Sequence, residues 1–251
     1  MALPKLFTDG SSNPKTAKSD KAGRKFLTKI LHLAPASLSG FNVCSSSSVG
    51  CRDGCLNTAG RGQMTTVQKA RIRKTLQWFN DRDTFKAQII KELTAFVKRC
   101  EKLGVSAAIR MNGTSDILWE KQFSELFTLF PQITYYDYTK HVKRCLDGYG
   151  LPQNYHLTFS RSESNDADCY KVLQSGRHNV AAVVRTKHIL ETTPSIWGFD
   201  TYSADNDDLR FLDPPGSHFG LLYAKGKARK DSSGFVFTQG AMKAPSLPVL
   251  A

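Results

Sequence analysis

The chain has 251 residues, with 35 Lys and Arg against 22 Asp and Glu, which gives a formal net charge of +13. Hydrophobic residues make up 40% and charged residues 23%, a globular composition that excludes a mostly disordered chain. No run of about 18 apolar residues occurs, and Lys5, Lys15, Lys18, Lys21, Arg24 and Lys25 leave no apolar stretch near the start, so neither a membrane span nor a secretory signal is expected. Six cysteines are too few for a disulfide scaffold in a chain of this length, and a reducing cytoplasm suits them.

Residues 1–30 are polar and basic and read as an irregular arm, with a short extended piece expected at 32–35. Residues 39–62 form a Ser- and Gly-rich loop that contains three cysteines. Helical periodicity runs from about 66 to 79 and resumes after Asp83, a candidate N-cap, with Phe85, Ile89, Leu93, Phe96, Cys100 and Leu103 three or four residues apart until Gly104. Strands are expected at 105–111, 133–138, 155–160 and 179–185, with two more near Trp197 and at 218–224. Between them, Trp119, Phe123, Leu126, Phe127 and Phe130 mark a helix that Pro131 ends, and residues 165–174 mark another. Repeated βα units of this kind predict an α/β domain over 31–235, with a largely parallel sheet or a partial, TIM-like barrel, and a surface tail over 236–251.

The chemistry concentrates in the loop. Cys44, Cys51 and Cys55 stand in a C-x6-C-x3-C arrangement among polar residues, whereas free cysteines usually sit in apolar surroundings. Soft thiolate donors select zinc, copper(I) or iron–sulfur clusters. Zinc would need a fourth ligand from a distance, with His141, His156 and Cys145 as candidates, so a [4Fe–4S] cluster with one open iron fits the count better. A ligand pocket is expected where polar residues recur at strand ends, on Asn112, Ser115, Asp116, Asp137, Lys140, His156, Ser160 and Arg185. The basic arm, the 69–74 helix face (Lys69, Arg71, Arg73, Lys74) and Lys225, Lys227, Arg229 and Lys230 could instead form a nucleic-acid footprint.

A three-cysteine loop ahead of βα units resembles that of radical S-adenosylmethionine enzymes, whose open iron takes that cofactor; the spacing here departs from their usual C-x3-C-x2-C. Segments 13–18, 31–35, 39–62, 109–117, 136–140, 154–160, 208–213 and 224–230, including Arg110-x-Asn112-Gly-Thr-Ser-Asp116, are together similar to the gene product eighty-eight family of bacteriophage and prophage proteins. The resemblance implies a phage origin, residence in the cytoplasm of an infected bacterium, and a cluster on Cys44, Cys51 and Cys55.

Overall fold

The structure, a computed structural model, describes residues 3–12 and 25–238. The remainder of the basic arm and of the tail lies outside the described residues. The elements in chain order are β1 (Phe7–Asp9), β2 (Phe26–Leu31), α1 (Val49–Asp53), α2 (Thr65–Asn80), α3 (Arg82–Leu103), β3 (Ser106–Arg110), α4 (Trp119–Gln122), α5 (Glu125–Leu129), β4 (Ile133–Thr139), β5 (Tyr155–Ser160), α6 (Asp166–Gln174), β6 (Val180–Val184), α7 (Lys187–Thr192), β7 (Ser195–Ile196), β8 (Phe199–Ser203), β9 (Phe219–Tyr223) and β10 (Val236–Phe237).

The strands form one open sheet in the order β1-β2-β3-β4-β5-β6-β9-β8-β7, with β10 also paired to β6. From β2 to β8 every neighbouring pair is parallel, and the antiparallel pairs β1–β2 and β7–β8 lie at the two edges. The fold is therefore α/β with a largely parallel sheet that does not close into a barrel. Parallel strands need both faces covered. On one face α2, α3, α4, α5 and α6 bury a continuous core that includes Trp78, Phe85, Leu93, Phe96, Trp119, Phe127, Tyr155, Phe159 and Val172. On the other, Leu209 and Phe211 pack on Ala108, Tyr136 and Phe26. Each fully buried Leu or Phe contributes roughly 2 kcal/mol of hydrophobic stabilisation. No helix among the described residues is long and apolar enough to cross a membrane.

Local signals explain most element ends. Gly104 takes φ +62° and donates its N–H to the carbonyls of Cys100 and Glu101, a left-handed stop that only glycine adopts without strain. Asp81 caps α3 by accepting the Thr84 N–H at 3.3 Å, so the cap lies two residues before the expected Asp83, which occupies the first turn. Trp197 and Gly198, at φ +55° and +85°, make the two-residue turn between β7 and β8.

Three expectations are corrected. The arm expected to be irregular contains β1 and β2, because Phe7 and Leu31 pair across the sheet edge and both enter the core. The single helix expected from Trp119 to Phe130 is two short ones, α4 and α5. Phe123 leaves helical geometry between them (φ −153°), where Gln122 accepts a hydrogen bond from Arg82 and the Lys86 ammonium lies 4.7 Å from the Phe123 ring centroid. The expected tail begins with a strand, since β5 and β6 pair only at Phe159–Val180 and Ser160–Ala181, and β10 takes the place beside Val183 and Val184. Arg161 fastens that segment. Its guanidinium donates to the carbonyls of Gly234 and Phe235 and to both oxygens of Asp166, and lies over the Phe237 ring at 4.1 Å.

Candidate functional site: the cysteine loop over the strand ends

The cysteine loop leaves β2 and lies across the carboxyl ends of β3, β4 and β5, the side of a parallel sheet where ligands usually bind. Val43 accepts the Asp116 N–H at 2.8 Å, the Cys44 thiol lies 3.8 Å from the Thr114 carbonyl, and Ser45 and Ser46 approach the His141 ring at 3.4 and 3.1 Å. The loop is more regular than its composition suggests, because residues 49–53 form α1. Ser48 caps that helix by accepting the Cys51 N–H at 3.2 Å. Glu163, from the segment after β5, accepts from Ser48 Oγ at 2.7 Å and from the Gly50 N–H at 2.8 Å. Against a desolvation that would raise it, these bonds hold the Glu163 carboxyl below its ordinary pKa. Gly50 and Gly54 let α1 settle on the β10 segment: a Cβ at Gly50 would meet Ser233 Oγ at 2.1 Å and Phe235 Cβ at 2.8 Å. Cys51 packs there against Phe235 and its neighbours.

Cys44, Cys51 and Cys55 are all free and partly buried. Burial pushes the Cys44 thiol up to about 12, with further upward contributions from Cys55, Asp116 and Cys51. Burial also raises Cys55, which feels Cys51 in the same sense, so the three thiols share one electrostatic neighbourhood. Among the described residues, no three His, Cys, Asp or Glu side chains are gathered tightly enough to hold a metal ion as they stand. The donor chemistry suits a soft metal, then, but the thiols are not closed upon one point.

The charges around Cys55 point the same way as its chemistry. Arg71 is only 7% exposed, donates to Asn57 Oδ1, leaves its Nε without a partner, and has no carboxylate partner among the described residues. Lys140 donates to Ser160 Oγ at 2.6 Å and to the Ser160 carbonyl at 3.2 Å, again without an acid. Both cations favour the Cys55 thiolate. A buried guanidinium without a counter-charge is costly unless something negative joins it.

The eight residues expected to line a pocket divide into groups. Asp116, Lys140 and Ser160 stand beside the loop; Asp116 accepts the Lys140 N–H at 2.8 Å and lies 3.4 Å from Arg144. Asn112, Ser115 and Asp137 form a buried clasp behind it. Asn112 Oδ1 accepts from Ser115 Oγ, the Ile117 N–H and Trp119 Nε1 at 2.8 to 3.1 Å, and Asp137 accepts from the Asn112 N–H and Tyr155 OH, both at 2.7 Å. Their polar atoms are engaged in shaping the 112–119 turn. Arg185 braces the carbonyls of Arg229 and Asp231, and His156 is exposed on the opposite face near Phe211. Of the distant candidates for a fourth ligand, His141 reaches the loop, whereas Cys145 is buried in the core and His156 lies apart. The 69–74 helix face is also only partly a surface, since Arg71 and Lys74 are buried.

No curated protein and no solved structure matches the chain. A sequence model of the family described as Gene product 88 matches residues 5–239, which span both the cysteine loop and the whole sheet. The chain therefore belongs to the Gene product 88 family of phage proteins.

Proposed function

We propose that this phage protein holds an iron–sulfur cluster on Cys44, Cys51 and Cys55, with zinc as the competing metal. The observation that carries this reading is the pairing of three mutually interacting thiols with a buried, acid-free Arg71 and with Lys140 at the carboxyl ends of parallel strands. A thiolate-bound centre brings net negative charge, which these two cations balance. Binding requires the raised thiols to lose their protons, so uptake of the metal strengthens with rising pH. Asp116, Lys140 and Ser160 are the groups placed to orient a polar ligand beside such a centre, and S-adenosylmethionine is the one to test.

The experiment is anaerobic purification followed by iron, sulfide and zinc analysis and visible absorption. Iron with matching sulfide, lost in Cys51→Ala, supports the cluster; stoichiometric zinc without colour transfers the site to zinc; neither metal removes the proposal. On a loaded protein, an electron paramagnetic resonance spectrum altered by S-adenosylmethionine extends the reading to radical chemistry. An unchanged spectrum confines it to holding the cluster.

A further inference from the structure

We propose that a second site, at the amino ends of β5 and β6, binds the phosphate group of a small anion. A cavity of about 150 Å³ lies between the 146–151 loop and the turn that carries Arg177 and His178. A water needs roughly 10–15 Å³ of such space, so a group of several heavy atoms fits. The charged side chains on its wall are all basic: Arg144, Arg177 and His178. That excludes a cation and favours an anion.

The backbone supplies the rest of the site. Gly148 and Gly150 take φ +78° and +76°, while Asp147 and Tyr149 between and before them do not have positive φ. Alternation of this kind turns successive N–H groups toward one side and makes a concave anion-binding nest. The N–H groups of Gly148, Tyr149 and Gly150 have no acceptor among the described residues. Tyr149 is held in place through its hydroxyl, which donates to Glu120 at 2.7 Å.

The three basic groups differ in what they offer. Arg144 is fully buried and committed to Glu120, Asp116 and Tyr155, so it contributes field rather than new hydrogen bonds. His178 Nδ1 donates to the Leu157 carbonyl at 3.0 Å, which fixes the ring and leaves Nε2 for a ligand. Arg177 pairs with Asp147, but the two side chains are 56% and 79% exposed. Exposed pairs of that kind are weak. A phosphate outcompetes Asp147 for Arg177 and gains the free N–H groups as well.

The test is calorimetric titration of the full chain with inorganic phosphate and, separately, with adenosine monophosphate at low salt. Saturable binding of either at one site per chain is expected; tighter binding of the nucleotide assigns the source to a nucleotide, and equal binding to phosphate itself. Arg177→Gln should weaken binding roughly tenfold, the loss of one charge-assisted contact. Asp147→Asn, which removes the competing carboxylate, should strengthen it severalfold, a gain that misfolding cannot imitate. Lys227→Gln makes the same charge change at an exposed site elsewhere and should leave binding unchanged. Absence of saturable binding, or equal losses in Arg177→Gln and Lys227→Gln, overturns the site.

Discussion

Glu163 accepts the backbone N–H of Gly50 at 2.8 Å across 113 residues of chain, and this one contact ties the end of β5 to the helix that carries Cys51. The same carboxylate receives Ser48 Oγ, so it satisfies donors that the first turn of α1 would otherwise leave open. Glu163→Gln keeps the shape but removes the charge from both bonds. We expect a loss of about 1 kcal/mol, or roughly 3 °C in the unfolding midpoint, together with faster alkylation of Cys51. Because the folded carboxyl titrates below its ordinary 4.5, its contribution is present above that value and disappears as pH falls through the folded pKa. Thermal melts of both proteins from pH 7 down to pH 3 should therefore converge. Parallel curves would assign the effect to shape alone.

At Gly50 the limit is space. Gly50→Ala places a methyl group 2.1 Å from Ser233 Oγ and 2.8 Å from Phe235 Cβ, whereas at Gly54 the nearest atoms lie at 3.1 and 3.2 Å. The first substitution should cost about 1–3 kcal/mol by overpacking and push α1 off the β10 segment; the second should be milder. Equilibrium urea unfolding of the two variants checks the order, and a reversed order would mean that α1 does not rest on Phe235.

The local grammar of the sheet was legible in the residues. Alternation in 155–160, the apolar stripe ending at Cys100, and the Gly104 stop each depend on neighbours a few positions away, and each appears as expected. What escaped depends on distant chain. β1 and β2 are recognisable only through their pairing with each other and with β3, and β10 only through the gap that β5 and β6 leave. The hold of Glu163 on the cysteine loop, and the burial of Arg71 and Lys74 on a helix face that looks solvated, likewise have no local signal. Polar strand ends marked the correct rim, but could not separate Lys140, which stands beside the loop, from Asn112 and Asp137, which are enclosed behind it.

That enclosed clasp has its own pH signature. Burial pushes the Asp137 carboxyl up to about 7, against the lowering effect of hydrogen bonds from Tyr155 and Asn112. A folded pKa above the unfolded value of 3.8 means that the folded state holds the proton more tightly, so stability from this group is complete below about pH 4 and declines as pH rises toward 7. Asp137→Asn should flatten the stability profile across that window, as measured by denaturant midpoints at fixed temperature. Asn112→Ala should be worse than either, by about 2–4 kcal/mol, because Ser115, Ile117 and Trp119 all lose their acceptor in a dry interior. Near-ultraviolet circular dichroism of Trp119 reports whether the turn survives.

Arg71 offers the sharpest separation between a loop built only for packing and one built for a negative guest. Its guanidinium is buried with an unpartnered Nε and no acid among the described residues, and Cys55 is the nearby group whose ionised form it would stabilise. Arg71→Met retains most of the stem and removes the charge. If the arginine serves packing, the variant loses stability with and without metal alike, because Asn57 forfeits its donor. If the charge exists to balance thiolates, the metal-free variant stays within about 1 kcal/mol of the parent, since relief of an uncompensated charge offsets the lost hydrogen bond. Its metal retention should then fall about tenfold, equivalent to roughly 1.4 kcal/mol. Chelator competition on the reconstituted protein, set against melting of the metal-free form, distinguishes the two, and a variant that binds metal as tightly as the parent would remove Arg71 from the site.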